Sequence, residues 1–237
     1  MKPRRSTRQA ATVPSRHVQV ASRSRPRTEV TSDEVVLKVE GLATRKLLRD
    51  ISFEIREGEF LGFAGLMGPG ARRWPAASSV LIRAPRAIWI RGKKAAINTA
   101  ADAVRNGIGY LSEDRKQFGL LLEQNIRQNA AMAAMKDLDI GGGFTLDGRI
   151  LIFDEPTRGI DVGAKEETYE LLEQLCGQGK AILMISSELP EVLRMSHRIA
   201  VMAHGHITGF LDNEEATQEN IMELAIVGKA QLKGNAA

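Results

Sequence analysis

Two stretches of this sequence combine residue types that can hold phosphate, a metal ion and an attacking water. The first is Arg149-Ile150-Leu151-Ile152-Phe153-Asp154-Glu155-Pro156-Thr157-Arg158-Gly159-Ile160-Asp161-Val162-Gly163. Four apolar residues followed by two carboxylates and a proline predict a buried parallel strand that ends abruptly at a polar edge. Open α/β sheets take ligands beyond the carboxyl ends of their strands. A carboxylate at Asp154 can hold Mg²⁺ there, usually through water, and Glu155 can orient or deprotonate an attacking water. The same composition also fits a strand that merely ends in a solvated acidic turn. The second stretch is Gly65-Leu66-Met67-Gly68-Pro69-Gly70-Ala71-Arg72-Arg73. A glycine-rich loop between a strand and a helix can turn successive backbone N–H groups toward a phosphate. Pro69 removes one of those donors, and taken alone the loop also reads as a flexible turn.

These groups need elements to position them. Order is expected from about Glu34, with strand composition at 35–39 and at 51–55, the second alternating cleanly. A polar turn separates them at 43–45, and 56–59 turns into a buried strand at 60–64. Thr99 caps a helix with Asp102 three residues on, a shorter partner than the usual Glu. Residues 107–111 read as a strand, 112–116 as a charged loop, 125–135 as a helix and 141–148 as a loop. After the acidic stretch, a periodic helix at 164–175 closes near Gly177 and Gly179. A buried strand follows at 181–186, then a short helix opened by 187–191, with Pro190 in its first turn. Residues 198–202 and 207–210 form a hairpin. His204 and His206 sit at its turn and lack the carboxylate or thiol that would make a strong metal site. Thr217 caps a last helix at 218–226. The alternation from Phe60 onward predicts an α/β protein with a mostly parallel sheet and flanking helices, preceded by a small antiparallel β part.

The bulk composition is compatible with this. The 237 residues, 43% hydrophobic and 26% charged, are those of a soluble globular protein of one large or two small domains. No apolar run approaches the roughly 20 residues of a membrane span. The net charge of +4 is concentrated at the start. Lys2, Arg4, Arg5, Arg8, Arg16, Arg23, Arg25 and Arg27 meet no acid in the first 27 residues. With no apolar core this is not a secretory signal. With no aromatic for base stacking it reads as a disordered arm rather than a specific nucleic-acid binder. Cys176 has no partner for an internal disulfide and falls in a helical pattern, which predicts a core residue in a cytosolic protein. The expected organisation is a basic arm over 1–33, an ordered unit over 34–228 and a frayed tail over 229–237.

With its continuation Pro156-Thr157-Arg158-Gly159-Ile160-Asp161, the acidic stretch resembles the Walker B motif and D-loop of ABC-transporter ATPases. Its wording is that of the second nucleotide-binding domain of monosaccharide importers of the ribose/galactose/xylose type. The glycine loop then falls where Walker A belongs, a motif of Gly, four residues, Gly, Lys and Ser/Thr. Gly65, Gly68 and Gly70 match its glycines, Ala71 stands at the lysine and Arg72 at the metal-binding hydroxyl. Family wording lapses from Ala71 and returns at Ile88-Trp89-Ile90-Arg91-Gly92, a pattern that two compensating reading-frame shifts would produce. Gly107-Ile108-Gly109-Tyr110-Leu111-Ser112-Glu113 resembles the importer form of the Q-loop. No Leu-Ser-Gly-Gly-like signature precedes the acidic stretch, so most of the helical subdomain is expected to be deleted, with a second break near Arg149.

The resemblance implies a P-loop NTPase-like fold and ATP hydrolysis with Mg²⁺, coupled to sugar import. Asp154 serves Mg²⁺, Glu155 polarises water, Glu113 senses both, Ser187 stands at the switch-histidine position, and Asp161 lies in the subunit-facing D-loop. Gly65, Gly68, Gly70, Ala71 and Arg72 make up the nucleotide loop. The implied partners are membrane permease subunits, a second nucleotide-binding domain and, indirectly, an external sugar-binding protein. The implied place is the cytoplasmic face of the membrane. Positioning and charge stabilisation need every part together, so with the Lys/Arg, the hydroxyl and the signature missing or displaced little hydrolysis by this chain alone is expected. A catalytically dead fragment serving as an interaction module is the alternative.

Overall fold

The computed structural model describes residues 29–30, 32–43, 48–66, 87–111 and 149–234. Four strands form a small antiparallel sheet in the order β2-β1-β4-β5: β1 (Val35–Leu42), β2 (Ile51–Arg56), β4 (Ala87–Ile90) and β5 (Lys93–Ala95). Val39 pairs with Phe53 on one side and with Ile88 on the other. In β2 the alternation is realised as Ile51, Phe53 and Ile55 buried, with polar residues between them facing outward.

The larger sheet has the order β10-β9-β3-β8-β7-β6, comprising β3 (Phe60–Leu66), β6 (Ile108–Leu111), β7 (Ile150–Asp154), β8 (Ala181–Ile185), β9 (Arg198–Ala203) and β10 (His206–Asp212). Strands β9, β3, β8, β7 and β6 run parallel, and β10 returns antiparallel from β9. Every residue of β7 and β8 is buried, because both faces of the sheet are covered. Along β3, Leu61 and Phe63 pack toward the small sheet, where Phe53 meets Phe63 edge-on at 5.4 Å. Phe60 and Ala64 point the other way, into a core closed by three helices: α2 (Val162–Gly177), α3 (Leu189–Met195) and α4 (Gln218–Gly234). The period-2 pleat thus makes one strand serve two cores.

Local signals behave as their chemistry requires. Thr99 and Asp102 form a reciprocal capping box on α1 (Ala100–Arg105), so the shorter acid suffices. Thr217 Oγ1 accepts the Asn220 N–H at 3.0 Å, as expected for the cap of α4. That helix runs on to Gly234, beyond its expected end at Ile226. The Cys176 thiol is fully buried and donates to the Gly58 carbonyl at 3.1 Å. The opening of α3 differs in detail from expectation. Its N-cap is Glu188, which makes no side-chain cap bond, and the Glu188 N–H is taken at 3.0 Å by Ser186 Oγ.

Candidate functional site

Strands β3, β8 and β7 are parallel and adjacent, so their carboxyl ends share one edge. Phe63, Ile185 and Asp154 stand in a row across them. Gly65 lies two residues beyond Phe63, and Ser186 and Ser187 follow Ile185. The topology therefore brings together Gly65, Asp154, Glu155 and Ser187 from three separate stretches of sequence. Gly68, Gly70, Ala71, Arg72 and Glu113 lie outside the described residues.

Gly65 has φ +142°, and a Cβ there would stand 2.0 Å from the Met202 carbonyl oxygen. Only glycine lets β3 and β9 approach this closely while the chain leaves the sheet. Asp154 is buried, and the Tyr110 hydroxyl donates to its Oδ2 at 3.0 Å. Tyr110 sits opposite Ile152 in the β6–β7 register, two residues short of Asp154 on the same face. Burial pushes the Asp154 carboxyl up to about 6; the Tyr110 hydrogen bond pulls it back and the neighbouring Glu155 charge adds to the rise. Among the described residues no group of three or more His, Cys, Asp and Glu side chains could cage a metal. One buried carboxylate with Oδ2 occupied by a phenol fits a hard cation whose other ligands are water and phosphate oxygens.

Glu155 is turned back toward β8. It adopts φ +50°, a left-handed conformation unusual for a side chain of this size. Its N–H donates to Ile185 O at 2.8 Å, and its Oε1 accepts the Ser187 N–H at 2.8 Å. The turn continues with Arg158 N–H to Glu155 O and Ile160 N–H to Thr157 O. It ends at Asp161, the N-cap of α2, whose Oδ1 accepts the Ala164 N–H at 3.0 Å. Asp161 remains exposed beside this bond.

Two features of the site escaped sequence reasoning. One is Tyr110; a tyrosine in a buried strand needs a partner for its hydroxyl, and that was the available signal. The other is a buried polar group beneath the turn: Thr157, Ser186 and Glu191, each less than 5% exposed. Glu191 lies four residues before buried Met195 on α3, so its place on the inward stripe was readable from helical spacing.

No protein-family model matches the chain. Among curated proteins it is 43% identical over 256 residues to a putative ribose/galactose/methyl galactoside import ATP-binding protein of Burkholderia lata, covering 87% of this chain and 49% of that protein. It is 39% identical to the ribose import ATP-binding protein RbsA of Lactococcus lactis subsp. cremoris, covering 86% of this chain and 50% of that one. The chain thus spans about half the length of these relatives. The matched stretch of the Burkholderia protein is longer than all 237 residues of this chain, so that protein carries residues without a counterpart here. Among solved structures, cbiO1 of Clostridium perfringens, part of an ABC transporter complex, superposes with a TM-score of 0.54 at 19% identity. That match covers 84% of this chain and 96% of the other. An ATP-binding cassette in its ADP conformation gives 0.54 at 15% identity, covering 81% and 98%.

Proposed function

The chain is a relative of the ribose/galactose-type import ATP-binding proteins and has the fold of ABC ATPases; from that premise we propose that it is an ATP-binding subunit of a sugar importer. It binds and hydrolyses ATP to drive monosaccharide uptake through a membrane permease. The observation that carries this reading is the Asp154–Glu155 pair at the carboxyl end of β7, one acid buried and the other turned onto the Ser187 backbone.

Each residue has a task the geometry supports. Magnesium bound with the nucleotide would neutralise phosphate charge at this edge. Asp154 would hold that ion while Tyr110 restrains its carboxylate. Glu155 would orient the attacking water, its carboxylate held by the Ser187 N–H. The Ser187 hydroxyl donates to a phosphate oxygen, which serine can do without acting as a titrating imidazole. Gly65 releases the chain from β3 toward the sequence of the phosphate loop; the roles of Gly68, Gly70, Ala71, Arg72 and Glu113 rest on the family resemblance alone. Asp161 faces a second nucleotide-binding domain. No described helix is long and apolar enough to cross a membrane. The subunit acts peripherally at the cytoplasmic face, on permease subunits that receive sugar from an external binding protein.

The test is equilibrium binding of a fluorescent ATP analogue to the folded chain, with and without Mg²⁺, followed by turnover. Micromolar binding strengthened by Mg²⁺, and slow turnover abolished by Glu155→Gln, is the expected result. No binding up to millimolar nucleotide would overturn the reading and leave shared ancestry alone.

A further inference from the structure

Glu155 holds a left-handed conformation that is unfavourable for a non-glycine residue and persists only where its surroundings enforce it. Beyond its own turn, where its carbonyl accepts the Arg158 N–H, it is restrained from the end of β8 by the Ile185 carbonyl and the Ser187 N–H. What fixes the β8 end against the β7 turn lies underneath. Glu191 is 3% exposed, Thr157 1% and Ser186 4%. The Ser186 hydroxyl makes a close hydrogen bond to Glu191 Oε2 and accepts the Glu188 N–H. Thr157 Oγ1 and Glu191 Oε1, buried beside these groups, close no hydrogen bond of ordinary geometry.

A buried carboxylate without a cation against it is costly unless it takes up a proton. Burial does raise the Glu191 pKa, and nearby Glu188 adds to the rise, against smaller opposite effects of Ser186, Thr157 and Lys165. Lys165 is itself engaged by Glu188 at 2.6 and 2.7 Å. The contact that the geometry closes is the Ser186 O–H to Oε2, which ties Glu191 to the end of β8.

We propose that Glu191 is a positioning residue for Glu155: through the Ser186 hydroxyl it braces the turn after β8 from below, and that turn holds Glu155 in its left-handed pose through the Ile185 carbonyl and the Ser187 N–H. The inference rests on the reading of Glu155 given above, but the clamp can be tested without nucleotide. Amide hydrogen exchange of the full chain, resolved over 154–161 and 185–188, is the measurement. Glu191→Leu fills the space without polar atoms and is expected to speed exchange of the Glu155 and Ser187 amides at least about tenfold, a local opening. The interiors of β3 and β8 stay unchanged. Glu191→Gln, which keeps one acceptor and one donor, restores protection to within about twofold of the parent chain. A merely space-filling role predicts the reverse order, with Leu protected and Gln not, and would overturn the proposal. If Glu191→Leu loses protection throughout the sheet, Ser186→Ala decides. Faster exchange confined to 154–161 and 185–188 supports the clamp, and unchanged exchange there refutes it. Failure of the parent chain to bind the ATP analogue would sink the transport reading and leave the exchange result standing.

Discussion

The two ends of the parallel sheet treat buried acid in opposite ways. At the amino end, Glu59 is 2% exposed and fully partnered. Arg198 Nε donates to its Oε1 at 2.8 Å, the Arg56 N–H to its Oε2 at 2.7 Å, and Arg198 Nη2 also reaches the Glu54 carbonyl. At the carboxyl end, Asp154 and Glu191 are equally buried, and among the described residues neither has a cation in hydrogen-bond contact. One receives a phenol, the other a serine hydroxyl, and both carboxyls are pushed up by burial. A structural acid is completed by its own chain. An acid meant for a ligand cation, or for service as a neutral donor, is left incomplete at some cost in stability.

The largest effects should separate these cases by sign. Arg198→Met strands Glu59 as a buried charge, and loss of one partner of such a pair is expected to cost about 3–5 kcal/mol in denaturant unfolding. A loss under about 1 kcal/mol would break the contrast, because Glu59 would then need no partner. Asp154→Asn should do the reverse. The folded-state pKa of about 6 lies above the ordinary 3.8, so between these values the native state binds more protons than the unfolded one. The stability of the parent chain therefore falls as pH rises from about 4 through about 6 and stays lower above that. Without Mg²⁺ at pH 7.5, Asp154→Asn should be more stable by about 2–3 kcal/mol, and its stability should lack that slope. Equal stability of the two chains at pH 7.5 would mean that Asp154 is solvated rather than waiting for a cation.

Much of this contrast was readable beforehand. The apolar runs of β3, β7 and β8 announce strands buried on both faces, and the two acids after Phe153 must then fall at a ligand-binding edge. Thr99 with Asp102 specifies a cap, and the isolated Cys176 falls in the core as its helical neighbours require. Gly65 is expected from the sequence as part of a phosphate loop. Its local necessity has another cause, the Met202 carbonyl of a strand far along the sequence. Tyr110 and Glu191 were missed for the same reason. Local pattern gives a residue its face but not the register of β6 on β7, nor which turn a helix of seven residues overlies. The short helix after β8 opens at Glu188 without a side-chain cap, a detail that the serines at 186 and 187 do not reveal until the end of β8 is known.

A smaller change sharpens the account of Asp154. Tyr110→Phe removes one hydrogen bond to a part-buried acid and should cost about 1 kcal/mol at pH 7.5. The phenol lowers the Asp154 pKa, so the loss is tied to the ionised form and should shrink near pH 4, where the acid is protonated. A pH-independent loss would make the phenol a packing group.

The smallest effect is expected from an ion pair between the two helices of this edge whose carboxylate is open to water. Lys165 Nζ lies 2.6 and 2.7 Å from the Glu188 carboxylate, yet that carboxylate is half exposed. Water competes for both charges and salt screens them, so Lys165→Met should cost about 0.2–1 kcal/mol. In 1 M salt, where the screening length is about 3 Å, the difference should vanish. The adjacent Arg194–Glu166 pair, also between α2 and α3, would hold the helices in place meanwhile. If Lys165→Met instead costs as much as Arg198→Met and the cost survives high salt, contact distance rather than burial sets the value of an acid here. The division between the two ends of the sheet would then lose its physical basis.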